Sequence, residues 1–501
     1  MLIILILLTV ILVYFRYLIY FHAQVSLIDE YFWLQYRLNA RKQKFFPPKL
    51  PQFLLDLRQW YPPIYGFFLK LIPDAVFKNN IYILLILSAI RFINYLIFLS
   101  ILGVREDLEV ILICLIIYIA SPSYFINDNQ LNSRILGSII FDIVVMLVYL
   151  GNMSGWGMML CTLLLFFTMI LLFLHKMTVQ LLIFLALTWA LWINEYVPFI
   201  ILIIALLISI ILGYKNYFKA HIDITKFWFR NRNLIGAHQI NDSPTFSKNI
   251  SSIYSVKEIA KKILTIVAMC PFFIVLLLSD SYSFWTISII SVLAFAYITT
   301  FVPFMKTWGH GRSYMYYLPS LIIMHVLTTD EIQHISTLQV SMFILCFPII
   351  VYSYFEYKNW LTHKIRSKSI VFDEVISFVQ ASNINRIMCI PIDRSDEIAW
   401  KTGRNVLWGG HGYGFKLLMP YFPILKVKPE IAVKDWNIGA VIVDKNYWED
   451  CDRYFPSSLF KIVFEKENYI IYSVTNWQDN YIYPQWAKNA YPGIEPDCLS
   501  G

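Results

Sequence analysis

Two adjacent carboxylates, Asp29 and Glu30, stand where acid–base chemistry could be done at a membrane surface. They follow the first apolar stretch and lead into an aromatic run, Tyr31-Phe32-Trp33. A carboxylate within a few residues of a span costs free energy unless it is solvated, paired or used, and two together repel each other. One reading is a solvated loop edge. The other is a general base, its pKa raised by its like-charged neighbour. As metal ligands the pair is a thin set for a divalent cation such as Mg or Mn, and no other cofactor is signalled.

Three later segments carry basic side chains at the ends of apolar runs. In Ser121–Ser138, Asn127-Asp128-Asn129 is followed by Arg134. A guanidinium there can meet a phosphate bidentately or snorkel to the interface, and Asp128 is a second candidate for the acidic site. His175-Lys176 interrupts an apolar stretch; a hairpin turn explains it, and so does a phosphate held by both side chains. The third segment holds Lys306, His310, Arg312 and Tyr314, with Gly309 and Gly311 allowing the backbone close to a ligand. Arg312 there could stabilise a leaving phosphate or anchor the chain at the interface. Tyr61-Pro62-Pro63 fixes an extended lead-in to an apolar run. Gly409-Gly410-His411-Gly412-Tyr413-Gly414 matches no phosphate-loop spacing and reads as a loop.

These residues need a scaffold, and composition says which kind. Of 501 residues 58% are hydrophobic and 15% charged, far from the balance of a soluble domain. The chain reads as a polytopic α-helical membrane protein, with many aromatic anchors among its 33 Tyr and 15 Trp. The seven cysteines form neither a disulfide framework nor a zinc motif. About eleven apolar runs are candidate spans: 1–21, 81–102, 109–121, 135–150, 155–174, 177–193, 196–213, 260–279, 284–304, 315–328 and 338–355. The first has no basic leader or small-residue cleavage site and reads as a retained span. From about residue 357 the pattern changes to a C-terminal soluble α/β domain, 357–501, after a transmembrane domain of 1–356. Residues 371–382 have helical spacing; 385–390 and 439–443 read as buried strands, 461–464 and 469–474 as a hairpin. Segment 214–259 interleaves bases with aromatics, as an interfacial amphipathic helix does.

Counting crossings puts 22–79, 121–134, the 174–176 turn, 214–259, 305–314 and the C-terminal domain on one face. Segment 22–79 has eight Lys/Arg against four Asp/Glu, and 214–262 nine against three. By the positive-inside rule that face is cytoplasmic, although long loops weigh less in it.

The order of these features resembles the integral-membrane glycosyltransferases of the GT-C superfamily. The resemblance spans roughly 20–360 as layout: an acidic first loop, Tyr61-Pro62-Pro63, Ser121-Pro122 with Arg134 after it, His175-Lys176, and a late Arg312-Ser313-Tyr314. In place of that last triplet many members have Arg-Tyr, so here a residue is inserted. The resemblance implies Asp29, then Glu30, as the base, and Arg134, His175, Lys176, Arg312, Tyr314, Tyr61 and Asp128 around acceptor pocket and lipid phosphate. It implies an inverting transfer from a polyprenyl-phosphate-linked sugar donor to a glycan, lipid or protein acceptor, with no nucleotide donor. It places the catalytic face outside the cell, against the charge rule; basic loops there have another use, binding lipid phosphates.

Two other readings stay open. A polysaccharide polymerase or ligase acting on lipid-diphosphate-linked glycans needs the same base and arginines. A transporter without chemistry needs polar residues deep in spans, of which Asn94 and Asp142 are the few, and an inverted repeat. Membrane lipids are expected partners; nucleic acid is not.

Overall fold

A computed structural model of the chain describes residues 14, 28–43, 48–55, 61–77, 80–102, 108–128, 130–231, 256–273, 283–302, 304–328, 346–359, 370–409 and 415–478. The expected first span, Asn129 and Gly410–Gly414 lie outside them, as do the side chains of Asp29 and Lys306.

The chain divides into two compact units that are discontinuous in sequence, whereas composition suggests a single change near residue 357. One holds Met1–Val25, Ile72–Phe218 and Tyr254–Thr362; the other holds Ser26–Leu71, Lys219–Ile253 and His363–Gly501.

The first unit is helical. Its helices include Asn80–Leu102, Leu108–Ala120, Ser133–Ser154, Met158–Leu172, Lys176–Trp192, Val197–Ser209, Phe284–Phe301 and Leu318–Thr328. The described parts of the apolar runs expected from the sequence are therefore helices. Among the described residues four stretches are long and apolar enough to cross a bilayer: Tyr82–Leu102, Ser133–Ser154, Phe284–Phe301 and Val197–Arg230, the last broken at Gly213, which closes its apolar part. The described parts of the others are shorter, and the turns at Ser121, Phe173-Leu174 and Ile193-Asn194 fall where the sequence expects runs to end. Two of the four keep only 35% and 33% of their apolar window inside the protein. Their remaining Ile and Leu side chains, such as Ile86, Ile93 and Ile97, face outward, the pattern of a helix meant for lipid. Inside the unit aromatic packing dominates: Trp189 stacks on Phe284 at 5.4 Å and donates to Ser288 Oγ at 2.9 Å.

The second unit is built on four strands, β1 Ile387–Ile390, β2 Ala440–Asp444, β3 Phe460–Lys466 and β4 Tyr469–Val474. Their order is β1-β2-β4-β3, with β1 and β2 parallel and the other pairs antiparallel. The expected strands and hairpin are these, and the expected helix is Ile370–Ala381. Glu467, in the left-handed region at φ 49, turns the β3–β4 hairpin. Trp408, Trp436, Val441, Val443 and Ile470 fill the core beneath the sheet.

Segment 26–71 is part of this unit. The Ile28–Lys42 helix packs on Ser395–Thr402, with the Tyr31 hydroxyl donating to Glu397 Oε1 at 2.9 Å. Glu397 also receives Lys401 at 2.8 Å. Farther along, Leu54 and Leu55 donate backbone N–H groups to Val406 and Leu407 at 2.9 and 3.0 Å. Within the polar segment 22–79, residues 28–42 are a docked helix buried on nearly every side: Phe32, Trp33 and Tyr36 are buried, and so are Glu30, Gln35, Arg37 and Asn39.

Candidate functional site

At the centre of the helical unit lies a cation that the sequence reading passes over. Arg91 is fully buried and pairs with Asp128 at 3.0 Å. It also donates to Ser138 Oγ and the Tyr316 hydroxyl, and lies over the Tyr124 and Tyr316 rings at 4.4 and 4.9 Å. Tyr316 in turn donates to Asp128. One guanidinium thus fastens the Asn80–Leu102 helix to the Asp128 turn, to the start of Ser133–Ser154 and to Met315–Tyr317. Asp128, a candidate for the acidic site, is here the counter-ion of Arg91.

Three of the singled-out segments meet in this unit. Asn132 caps the Ser133–Ser154 helix by accepting from the Arg134 N–H at 2.8 Å, and the Arg134 guanidinium donates to Asn127 Oδ1. One turn on, a Cβ at Gly137 would stand 2.9 Å from His175 Cβ and 3.0 Å from Thr178 Oγ1. Glycine is what lets the start of the Lys176–Trp192 helix approach. There His175 Nδ1 lies 2.8 Å from Thr178 Oγ1, which lies 2.6 Å from the Tyr317 hydroxyl. The third segment closes over this. Gly309 at φ 132 passes Met177, and the Tyr314 hydroxyl has Gln180 Oε1 at 2.9 Å and the Trp308 carbonyl at 2.7 Å as acceptors.

The pair His175-Lys176 splits between two environments. His175 is buried within the Thr178–Tyr317 cluster, while Lys176 is half-buried. Tyr314 is fully buried, and burial pushes its phenol up, so it serves as a neutral donor. Arg134 is half-buried, His310 and Arg312 exposed. His310 opens to water but is enclosed by protein on much of its surface. That enclosure, then the charges of Arg312 and Arg134, holds its imidazole below the usual histidine range. Among the described residues, no carboxylate forms an ion pair with Arg134, Lys176, His310 or Arg312. The Arg134 Nε is buried without a hydrogen-bond partner among them. Concentrated positive charge lacking a protein counter-ion is what an anion site consists of, and a phosphate suits the arginine fork best.

The acidic pair and Tyr61 belong to the other unit. Asp29 and Glu30 lie in the first turn of Ile28–Lys42, and Glu30 is buried. Burial pushes the Tyr65 phenol up, and the charge of Glu30 and then Tyr61 push it the same way, so the three share one neighbourhood. Tyr61 is half-buried, edge-on to Trp33 at 5.1 Å; Trp33 in turn meets Tyr65 at 4.6 Å. Pro63 accepts the first backbone bond of the Ile64–Leu71 helix, from Phe67 at 2.9 Å, so Tyr61-Pro62-Pro63 leads into this eight-residue helix and not directly into the Asn80–Leu102 span it is expected to enter. Gly66 lets that helix press on Tyr36, since a Cβ would come within 2.1 Å of the ring. Among the described residues no group of three or more His, Cys, Asp or Glu could hold a metal ion.

Arg91 was legible as a lone cation within the apolar run 81–102. Thr178, Gln180, Tyr316 and Tyr317 carried no comparable signal. No protein-family model matches the chain, and no curated protein matches it.

Proposed function

We propose that this chain is a membrane glycosyltransferase that takes its sugar from a polyprenyl-phosphate donor and passes it to a glycan, lipid or protein acceptor. The observation that carries the reading is the packing together of the segments that bear Arg134, Lys176 and Arg312, through Gly137 on His175, Gly309 on Met177 and Tyr314 on Gln180, with no carboxylate ion pair to these cations among the described residues. In this reading the two arginines and Lys176 hold the donor phosphate. As the glycosyl bond breaks, charge grows on the leaving phosphate oxygen. Fixed cations in a partly dewatered site stabilise that charge more than they stabilise the ground state. Asp29 or Glu30 takes the acceptor hydroxyl proton, and attack opposite the phosphate inverts the anomeric centre. The face is taken to be exoplasmic, the basic segments serving lipid phosphates there. Because the cations are several, a lipid diphosphate fits them as well, and a glycan ligase using such a donor is the second reading.

The test is sugar transfer in proteoliposomes from polyprenyl-phosphate and polyprenyl-diphosphate donors, for the native chain, Asp29→Asn, Glu30→Gln and Arg312→Gln. The reading expects transfer from the monophosphate donor, lost in Arg312→Gln and in at least one carboxylate variant. Undiminished turnover in all three variants would sink it; transfer from the diphosphate donor alone would select the ligase.

A further inference from the structure

Among the described residues, the Lys215–Arg230 helix carries an exposed face. Its buried positions, Tyr217, Ala220 and Phe227, lie on one side, and Phe227 stacks on Phe422 at 6.1 Å. On the opposite side Lys219, Ile222, Lys226, Phe229 and Arg230 are all exposed. Lys219, Ile222, Lys226 and Phe229 follow at intervals of three, four and three residues, and Arg230 stands four beyond Lys226, so they form one stripe along the helix. The stripe is mixed in a particular way: Ile222 and Phe229 flank it on one edge, joined by Phe218, while the cations follow the other.

This helix follows directly on an apolar one. Val197–Ser209 runs into the turn Ile210–Tyr214, where Gly213 at φ 104 breaks the helical path and a Cβ would meet nothing. Ile211 and Leu212 in that turn are exposed at 83% and 65%, too apolar to face water together. The amphipathic helix therefore begins where a span ends, at the depth of lipid headgroups. An apolar edge beside a row of Lys and Arg fits that layer: rings and branched chains enter the acyl boundary while the ammonium groups reach the phosphates.

We infer that the 215–230 helix lies in the membrane interface and that Lys219, Lys226 and Arg230 bind the headgroups of anionic phospholipids. The inference is independent of the proposed transferase activity. It makes the lipid composition of the leaflet a ligand of this chain.

The experiment replaces Ile222 or Phe229 with photoreactive p-benzoylphenylalanine in the full chain. The protein is placed in vesicles of equal parts phosphatidylcholine and phosphatidylglycerol, and the adducts are weighed after illumination. The expected result is a lipid adduct at both positions, with phosphatidylglycerol favoured roughly fivefold or more, the factor one interfacial cation commands. The excess should disappear in Lys219→Gln/Lys226→Gln/Arg230→Gln, whose exposed positions leave packing untouched. An adduct to a second protein chain, no adduct at either position, or lipid adducts with no preference for the anionic headgroup would each overturn the proposal.

Discussion

The guanidinium of Arg91 donates to Asp128 Oδ2 at 3.0 Å, and neither side chain has any surface in contact with solvent. Removing one partner of such a pair leaves the other charged and dry. Arg91→Leu or Asp128→Asn alone is expected to destabilise the helical unit by about 3–5 kcal/mol. The double variant Arg91→Met/Asp128→Leu should recover more than half of that loss, since desolvation of both charges is then avoided. Thermal unfolding in detergent measures each. Arg91→Lys should fall in between: the charge stays, but the fork that reaches Asp128, Ser138 and Tyr316 together is gone.

If the proposed site holds a phosphate, His310 gives that binding a pH dependence of definite sign. Its folded pKa lies below the ordinary value of 6.5, so between the two the folded protein binds fewer protons than the unfolded one. Stability therefore rises with pH through that window and is full above it. A bound phosphate reverses the electrostatics around the ring and raises its pKa, so binding takes up a proton. Affinity for a dialkyl phosphodiester, which does not itself titrate near neutrality, should strengthen as pH falls below neutrality. Calorimetric titration across that range checks this. In His310→Gln the pH dependence should flatten while binding at high pH is kept; an unchanged slope would remove His310 from the site.

Arg134 and Arg312 should act on affinity more than on stability. Among the described residues neither has a carboxylate ion-pair partner to leave stranded, so Arg312→Gln at an exposed position should shift stability by under about 0.5 kcal/mol. Each loses a charge-assisted bond to phosphate, about 1.5–3 kcal/mol, or roughly ten- to hundredfold in affinity for the same diester. Arg312→Lys should recover only part, a point charge replacing a fork. Equal loss of affinity and stability would mean a structural anchor instead.

How far the sequence leads can be read from these residues. Helix positions were legible because apolar runs are the strongest pattern a chain displays. The break between two of those runs was legible too, since the turn at Phe173-Leu174 falls beside the polar pair His175-Lys176. The strands of the second unit were legible from alternation and a four-residue hairpin break. That 26–71 packs with those strands was not, since the contact between Tyr31 and Glu397 joins residues 366 positions apart. The basic groups of the anion site stood out as charges at the ends of apolar runs. Their partners did not: Tyr317, Thr178 and Gln180 resemble ordinary span residues until folding brings them together.

Gly311 tests whether backbone placement governs the site. A Cβ there would stand 2.0 Å from the Ala296 carbonyl oxygen and 2.0 Å from Thr300 Oγ1. The hydroxyl can rotate away, but the carbonyl belongs to the Phe284–Phe301 helix and cannot. Gly311→Ala must therefore push Gly311–Tyr314 outward, carrying His310 and Arg312 away from Arg134. Overpacking of this kind costs about 1–3 kcal/mol, so a fall of several degrees in unfolding temperature is expected. Phosphodiester affinity should drop by more than tenfold, because the cations no longer converge. Gly157→Ala is the control: a Cβ there meets nothing and its φ is −79, so the change should cost about 1 kcal/mol or less, the loss of a glycine N-cap, with affinity intact. If Gly311→Ala bound the diester as the native chain does, the arrangement of the 309–314 segment could not be what builds the anion site.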